Sequence, residues 1–210
     1  MRRLLALALV LIVGAVAAVY LLTRPGEAPA QIGPVSGRTA SAVFAGGCFW
    51  CTESDFDHIP GVISTTSGYA GGHVANPTYE QVSEGGTGHI ESVRVVYDPA
   101  RVSYSTLVEL FFRTIDPLDA GGSFCDRGYQ YRSAIFVADA EERRVAETAA
   151  AQASRQLGRT VATLILPARN FYPAEDSHQA YYRKNSYRYR FYRWNCARDA
   201  RIEELWGSSR

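Results

Sequence analysis

The sequence carries almost no net charge, since 22 lysine and arginine residues are balanced by 21 aspartate and glutamate residues, leaving a formal charge of +1. A chain with this balance lacks the basic surplus with which a nucleic-acid-binding protein attracts a polyanion. No internal repeat or low-complexity tract occurs in its 210 residues either. We therefore expect one compact, monomeric domain without a nucleic-acid partner, whose specificity comes from a local site.

Residues that ligate metals are also scarce, because the chain has only four cysteines and four histidines. Cys48 and Cys51 form one Cys-x-x-Cys pair, and a disulfide between them would close too small a loop to stabilise the fold. Cys125 and Cys196 each lie far from any other cysteine in the sequence. A structural zinc site needs a second pair of ligands. The histidines show no ligand spacing; they are His58, His73, His89 and His178. The sequence thus predicts neither a metal nor another bound cofactor.

A long apolar run opens the chain, because residues 4–22 contain no charged side chain and follow two arginines. Such a run is long enough to cross a bilayer as a helix. We predict that residues 1–22 form a hydrophobic helix that is a membrane anchor or, if cleaved near residues 28–30, a signal segment. Residues 23–38 are expected to be a linker. The basic start predicts an exported domain, in the periplasm or outside the cell, that is anchored, or secreted after cleavage.

Residues 39–210 are predicted to form the folded domain. Apolar and β-branched runs predict strands at 39–45, 62–69, 89–98, 129–138 and 161–166. Capping residues and helical periodicity predict helices at 48–58, 76–84, 103–115, 139–157 and 173–184. Because these elements alternate without uniform parallel βαβ units, we expect an α+β fold, a two-layer mixed sheet with flanking helices and a ferredoxin-like core.

The chain from about residue 185 interleaves aromatic and basic side chains. Such interleaving occurs in nucleic-acid-binding segments, but the neutral overall charge disfavours that interpretation. We expect an extended C-terminal tail that wraps over the domain or faces an anionic membrane surface.

Residues 46–53 combine two glycines, two cysteines and two large aromatic residues, and they are the predicted centre of the chemistry. If a helix begins near Cys48, its free N–H groups and dipole favour the reactive thiolate there. Cys51 then lies one turn away on the same face. Such a pair supports a two-electron redox cycle, either as a dithiol-disulfide exchanger or as an oxide reductase. Phe49 and Trp50 favour the second, because their apolar surface suits a small S-methyl group.

Six ordered motifs across residues 43–182 resemble the A-type peptide methionine sulfoxide reductase family. They begin at Gly46, Gly68, Asn76, Gly88, Asp126 and Phe171, and they read GGCFW, GYAGG, NPTYE, GHIE, DRGYQYRSAI and FYPAEDSHQ. The resemblance implies a two-layer α+β core. It also implies reduction of the S epimer of methionine sulfoxide, free or in proteins, with repair of oxidised proteins as the purpose.

The resemblance implies roles for particular residues. Cys48 would attack the sulfoxide sulfur and become a sulfenic acid, while Glu91 would donate a proton to the leaving oxygen. Burial would keep Glu91 protonated near neutral pH. The implied substrate-binding residues are Phe49, Trp50, Tyr79, Asp126 and Tyr131. Without the resemblance, the acidic residues and tyrosines are equally explained by packing, cross-strand pairing or a turn, and His178 keeps a purely structural interpretation.

The second cysteine departs from the commonest family pattern, in which glycine stands at the position of Cys51. Cys51 is the preferred resolving residue because it is near Cys48, and Cys196 is the alternative resolver or a relay. Cys125 is interpreted as a small hydrophobic residue without a role. The resemblance implies an external dithiol reductant of the thioredoxin type. A membrane-tethered thiol-disulfide oxidoreductase is the alternative function, although no thioredoxin-type sequence surrounds the pair.

Overall fold

The computed structural model describes residues 39–207. The predicted hydrophobic helix, residues 1–22, and the predicted linker, residues 23–38, lie outside the described residues. Between residues 39 and 207, no helix has the length and apolar character needed to cross a membrane.

The described elements alternate between strands and helices in the first half of the domain, and three short helical segments end it. They are β1 (Ala40–Gly46), α1 (Phe49–Asp57), β2 (Val62–Ala70), α2 (Tyr79–Glu84), β3 (Ile90–Tyr97), α3 (Tyr104–Arg113), β4 (Gly122–Ser123), β5 (Asp126–Arg127), a 3-10 turn (Tyr129–Tyr131), β6 (Ser133–Val137), α4 (Ala140–Leu157), β7 (Leu164–Pro167), β8 (Phe171–Pro173), α5 (Tyr181–Lys184), α6 (Ser186–Asn195) and α7 (Arg198–Trp206).

Six strands form one mixed sheet in the order β7-β6-β1-β3-β2-β8. The four middle strands are antiparallel to one another, and only β7 runs parallel to its partner β6. Four of these strands, in the order β6-β1-β3-β2, form a ferredoxin-like unit. Counted along the chain, they are the fourth, first, third and second strands of that unit. The predicted mixed α+β sheet with flanking helices is therefore confirmed.

The two faces of the sheet bury different side chains because successive residues of a strand point to opposite sides. On the face covered by α1, α3 and α4, Phe44 stacks on Phe56 with ring centroids 4.7 Å apart and contacts Phe111 at 5.3 Å. The other face packs a smaller cluster around Ala45 and Phe136. Glu91 shares the helix-covered face with every second residue of β3, which places a carboxyl group beneath α1.

Helix ends fall where the sequence supplies capping groups. The Ser103 hydroxyl accepts the Thr106 N–H at 3.1 Å and begins α3, as predicted, and Asp139 accepts the Glu142 N–H at 2.8 Å at the start of α4. Gly158 ends α4 in a left-handed conformation with φ of +65°. Side-chain oxygens at an N-cap satisfy N–H groups that have no partner inside the helix.

Two predictions about the C-terminal part are wrong. Residues 173–184 do not form one helix, because Phe171–Pro173 pairs with β2 and the chain turns before Tyr181. The tail from residue 185 is not extended, because it forms α6 and α7. Tyr189 and Arg198 are buried, at 7% and 2% exposure, which shows that these helices complete the domain rather than wrap over it. The predicted strand at 129–138 likewise starts only at Ser133, after the 3-10 turn.

Candidate active site

Cys48 lies at the N-cap of α1, directly after the glycine pair that ends β1. Its backbone carbonyl accepts the N–H groups of Cys51 at 3.1 Å and Thr52 at 3.2 Å. Gly47 has φ of +86°, and a Cβ atom there would lie 2.5 Å from the Ser123 Cβ. The glycine is therefore required twice, for a left-handed turn and for close contact with β4.

Gly47→Ala is expected to destabilise the fold more than Gly158→Ala does. Both positions have positive φ, which disfavours an alanine by about 1–2 kcal/mol, but a Cβ atom added at Gly158 would meet no atom within 4 Å. Only Gly47→Ala must also displace Ser123, so its urea midpoint should be the lower of the two. Equal midpoints would show that the turn tolerates the added methyl group.

Glu91 is buried, with 2% exposure, in register with Tyr69 of the neighbouring strand. Its Oε2 accepts the Phe49 N–H at 2.9 Å, which joins the acid to the first turn of α1. Burial raises the pKa of Glu91 to about 8, and the Phe49 N–H offsets only part of that rise. The carboxyl group is therefore largely protonated at neutral pH and can donate a proton.

One small cavity, of about 70 Å³, contains all of the residues predicted to bind substrate together with the predicted nucleophile and acid. Its lining residues are Cys48, Phe49, Trp50, Tyr79, Glu91, Asp126, Tyr131 and Tyr192. A larger cavity, of about 230 Å³, lies between α3 and α4 but holds neither a cysteine nor a buried acid. The smaller cavity is the candidate site because it contains a cysteine and a buried acid, although its volume is the smaller of the two.

The two predicted cavity tyrosines are hydrogen-bond donors under ordinary conditions. Burial, followed by the charge of Glu91, raises the pKa of Tyr79 to about 12 and raises the pKa of Tyr131 as well. Neither hydroxyl ionises at neutral pH. Together with Glu91 they supply three O–H donors to the lining of the cavity.

The aromatic wall is held in place by stacking. The indole Nε1–H of Trp50 donates to His178 Nδ1 at 3.2 Å, and Trp50 stacks on Tyr181 with centroids 3.7 Å apart. His178 also stacks on Tyr79 at 4.3 Å and contacts Phe49 at 5.3 Å. His178 therefore contacts three rings around the cavity, and its structural interpretation stays a prediction.

The two thiols of the Cys-x-x-Cys pair are free and buried. Burial raises the pKa of Cys48 well above its ordinary value, and the contact with Cys51 raises it further. The pKa of Cys51 is lowered, first by the hydrogen bond from Cys48 and then by Arg198 and Arg193. The expectation that the helix N-terminus favours a Cys48 thiolate is therefore wrong for the resting site, because burial outweighs the helix dipole.

The other two cysteines form a disulfide, with Cα atoms 4.9 Å apart across 71 residues of sequence. It joins the loop before Asp126 to the residue that ends α6. The interpretation of Cys125 as a free hydrophobic residue is therefore wrong. Cys196 is not a free thiol in this state, so it can react only after this bond is reduced or exchanged.

Comparison with known proteins assigns the family. The sequence profile described as "Peptide methionine sulfoxide reductase" matches residues 40–210. The chain belongs to the peptide methionine sulfoxide reductase family. Members of this family reduce methionine sulfoxide, so the protein is an oxidoreductase. This confirms the prediction made from the six motifs.

Relatives of the reductase cover most of its length. Peptide methionine sulfoxide reductase MsrA 2 of Caulobacter vibrioides is 49% identical over 181 residues, which are 86% of this chain and 90% of that protein. MsrA 2 of Rhizobium meliloti is 51% identical over 166 residues, which are 79% and 83% of the two chains. Among solved structures, methionine sulfoxide reductase A of Corynebacterium diphtheriae has a TM-score of 0.64 at 36% identity and covers 75% of this chain and 81% of its own.

Sequence reasoning about the reductase missed three residues that build the site. Tyr192 of α6 lines the cavity and donates a hydrogen bond to Asp126. Glu175 accepts the Tyr79 N–H at 2.8 Å and thereby positions α2. Arg198, nearly fully buried, donates to the Gly46 carbonyl at 3.1 Å beside the nucleophile. Two signals were available, namely the helical spacing of Tyr189 and Tyr192 and the position of Glu175 within the sixth motif.

Proposed function

We propose that this reductase acts on the S epimer of methionine sulfoxide, free or in proteins, and thereby repairs oxidised proteins. The observation that carries the proposal is the shared cavity, in which the Cys48 thiol and the protonated Glu91 meet an aromatic wall. A sulfoxide needs these three features together, because its sulfur is attacked, its oxygen is protonated and its methyl group is apolar.

The first step transfers the sulfoxide oxygen to sulfur. Cys48 attacks the substrate sulfur while Glu91 gives its proton to the oxygen, and the Tyr79 and Tyr131 hydroxyls stabilise the charge that develops there. A bond forms between Cys48 Sγ and the substrate sulfur, and the protonated oxygen is released as the S–O bond breaks. The oxygen, as water, then attacks Sγ and breaks the Sγ–S bond, so methionine leaves and Cys48 becomes a sulfenic acid. The proton that Cys48 loses restores Glu91. The sulfoxide gains two electrons, and Cys48 is oxidised by two.

The cavity also supports selection of one epimer. We place the substrate oxygen at the three O–H donors and its methyl group against Phe49 and Trp50, with Cys48 approaching the sulfur opposite the S–O bond. Once the oxygen, the methyl group and the side attacked by Cys48 are fixed around the pyramidal sulfur, only one direction is left for the remainder of the methionine residue. In the other epimer, either the peptide chain meets the aromatic wall or the oxygen loses its donors. Buried donors without a partner oppose binding strongly.

Resolution completes the cycle. Cys51 attacks the Cys48 sulfenic acid, a disulfide forms and water leaves. An external dithiol, of the thioredoxin type, then reduces that disulfide by exchange and becomes oxidised itself. Cys196 can act as a relay only by exchange, since it is already bonded to Cys125. No resident cofactor takes part in this sequence.

The decisive experiment compares the two sulfoxide epimers of a blocked methionine with dithiothreitol as reductant. We expect loss of the S epimer alone, with Cys48→Ser as the inactive control. No turnover of the S epimer, or equal turnover of the R epimer, would overturn the proposal. The alternative, a thiol-disulfide oxidoreductase, would instead exchange with a protein disulfide and turn over neither sulfoxide epimer.

Protein stability is expected to report the protonation of Glu91. Its pKa is raised by burial from an ordinary 4.5 to about 8, so the native state holds a proton that the unfolded chain releases. The retained proton contributes to the free energy of unfolding. This contribution is fully present below pH 4.5 and is lost as the pH rises through about 8. The urea midpoint of the wild type should therefore fall over this range more than that of Glu91→Gln. Parallel curves for the two proteins would contradict the buried, protonated acid.

We also propose that the domain is exported and membrane-anchored, in the periplasm or at the cell exterior. Support comes from the sequence alone, namely the apolar residues 4–22 and the preceding arginines. Carbonate extraction of cell fractions separates an anchored protein, which stays with the membrane, from a cleaved and secreted one.

A further inference from the structure

Helix α6 presents two different faces. Its inner face buries Tyr189 against Cys51 and brings Tyr192 to the cavity. Its outer face carries Tyr187, Phe191 and Trp194, which are 83%, 64% and 74% exposed. We call these three residues the aromatic face. They recur at positions i, i+4 and i+7, so they line one side of the helix.

The aromatic face is unusual for a protein surface. It includes the three most exposed of the five large hydrophobic side chains that are exposed between residues 39 and 207. Scattered exposed hydrophobic residues are ordinary, but a contiguous cluster indicates an interaction surface. Phe191 and Trp194 are in contact, with ring centroids 6.0 Å apart.

Cations without acidic partners accompany the aromatic face. Arg188 and Arg190 are exposed and form no ion pair within the described part of the chain, whereas Arg193 is paired with Asp55 and Asp199. The Arg190 guanidinium lies 5.2 Å from the Tyr187 ring. Residues 181–195 contain no aspartate or glutamate at all. The surface is therefore positive as well as aromatic.

We propose that the aromatic face of α6 binds the headgroup region of an anionic lipid bilayer. Tyrosine and tryptophan favour the membrane interface, since their rings are apolar and their polar groups stay hydrated. Arginines are attracted to an anionic surface, and their guanidinium groups pair with phosphate. A short helix with one aromatic side and flanking cations lies in the plane of such an interface.

The rest of the chain favours a lipid surface over a protein partner as the occupant. This step rests on the proposed membrane anchorage. Residues 23–38 would tether the domain to the bilayer by sixteen residues, which span at most about 55 Å when extended. A tether of that length gives a weakly binding surface a high effective concentration at the membrane. A few aromatic and basic residues then suffice, although they would bind poorly from solution.

The proposal also specifies a class of substrate. Because α6 carries both the aromatic face and the cavity residue Tyr192, a bilayer on the outer face lies about one helix diameter, roughly 10–12 Å, from the active site. The reductase would then act preferentially on methionine sulfoxide in protein segments next to the membrane. Oxidised residues far from the surface would be reached only when the face detaches.

The test uses the full chain reconstituted into vesicles of phosphatidylcholine, with or without phosphatidylglycerol, in which a share of the chains is brominated. Bromine quenches tryptophan only at short range, and the difference between wild type and Trp194→Phe isolates Trp194 from the other two tryptophans. We expect strong quenching of Trp194 in anionic vesicles and little in neutral ones. Combined Arg188→Gln and Arg190→Gln should reduce anionic quenching to the neutral level, while Leu110→Ser, on α3, should leave it unchanged.

Flotation of the same vesicles separates the two proposals. Protein that floats with unquenched Trp194 would overturn lipid binding by α6 while leaving the anchor intact. Protein that carbonate strips from the vesicles, but whose Trp194 is quenched before that treatment, supports the aromatic face without the anchor. A concentration-dependent blue shift of Trp194 without vesicles, and no quenching with them, would mean that a second copy or another protein covers the face, and would overturn the proposal.

Discussion

Replacement of Glu91 by glutamine is expected to lower kcat for methionine sulfoxide by about 10²- to 10⁴-fold, the range that a positioned general acid supplies. Glutamine keeps the size of the side chain and can still accept the Phe49 N–H, but it cannot give a proton to the departing oxygen. The fold should survive, since a neutral amide replaces a carboxyl group that is already largely protonated. Stopped-flow measurement of methionine formation in a single turnover isolates the affected step.

Glu53 provides a matched control for this substitution. It is also buried, at 2% exposure, and the pKa of its carboxyl group is likewise raised, first by burial. Its Oε2 accepts the Ala180 N–H at 2.9 Å, but it does not line the cavity. Glu53→Gln should therefore leave the single-turnover rate within a few-fold of the wild type. Equal losses in the two variants would mean that general disruption, not proton donation, explains the effect.

The pH dependence of kcat/KM is a second test of Glu91 as the proton donor. In the wild type, log(kcat/KM) should bend downward near the pKa of Glu91, about 8, because the proton donor is lost above that pH. Glu91→Gln should lack this bend. A bend that persists in the variant belongs to another group, and Glu91 would then have no role as the acid.

Local signals in the sequence identified most of the fold. The Pro60-Gly61 breaker, the Ser103 and Asp139 caps and the Gly158 terminus fix where elements begin and end, and each acts through bonds within a few residues. The prediction of a helix over residues 173–184 failed at its start because Pro173 was taken as a helix start, whereas pairing of Phe171–Pro173 with β2 determines its conformation. Pairing partners distant in sequence leave no local signal.

The site was predictable where it is continuous in sequence and unpredictable where packing assembles it. The Cys48 turn could be deduced from its glycines, but the contact of Tyr192 with Asp126 depends on how α6 docks. Four cysteines allow three complete pairings, and spacing alone could not select Cys125 with Cys196. The resting protonation of Cys48 was misjudged because the dipole of α1 is a local property, while burial depends on the whole domain.

Substitution of Cys51 by serine is expected to have the second large effect, a loss of sustained turnover with the first turnover preserved. Cys48 can still attack the sulfoxide, so one equivalent of methionine per protein should appear at close to the wild-type rate. Cys51 is the other free thiol of the site, one helical turn from Cys48, and its lowered pKa favours the attacking thiolate. Without it the sulfenic acid persists.

The reductant must be chosen with care in this experiment. A small dithiol can enter and reduce the sulfenic acid directly, so dithiothreitol should sustain turnover of Cys51→Ser, whereas a thioredoxin-type protein should not. A sulfenic-acid reagent such as dimedone should label the variant after one turnover and label the wild type far less.

Cys196→Ser separates the two resolving schemes, because its partner in the folded domain is Cys125 rather than Cys48. If Cys51 resolves, Cys196→Ser should form the first disulfide as quickly as the wild type and be impaired, if at all, only in reduction by the protein reductant. Rapid disulfide formation in Cys51→Ser together with its loss in Cys196→Ser would instead require the Cys125–Cys196 bond to open and α6 to deliver its C-terminal residue to the cavity. Because Tyr192 of the same helix bonds to Asp126, that movement would dismantle one wall of the site in every cycle. A resolver already in contact with the nucleophile avoids this rearrangement, which is the physical reason for assigning the role to Cys51.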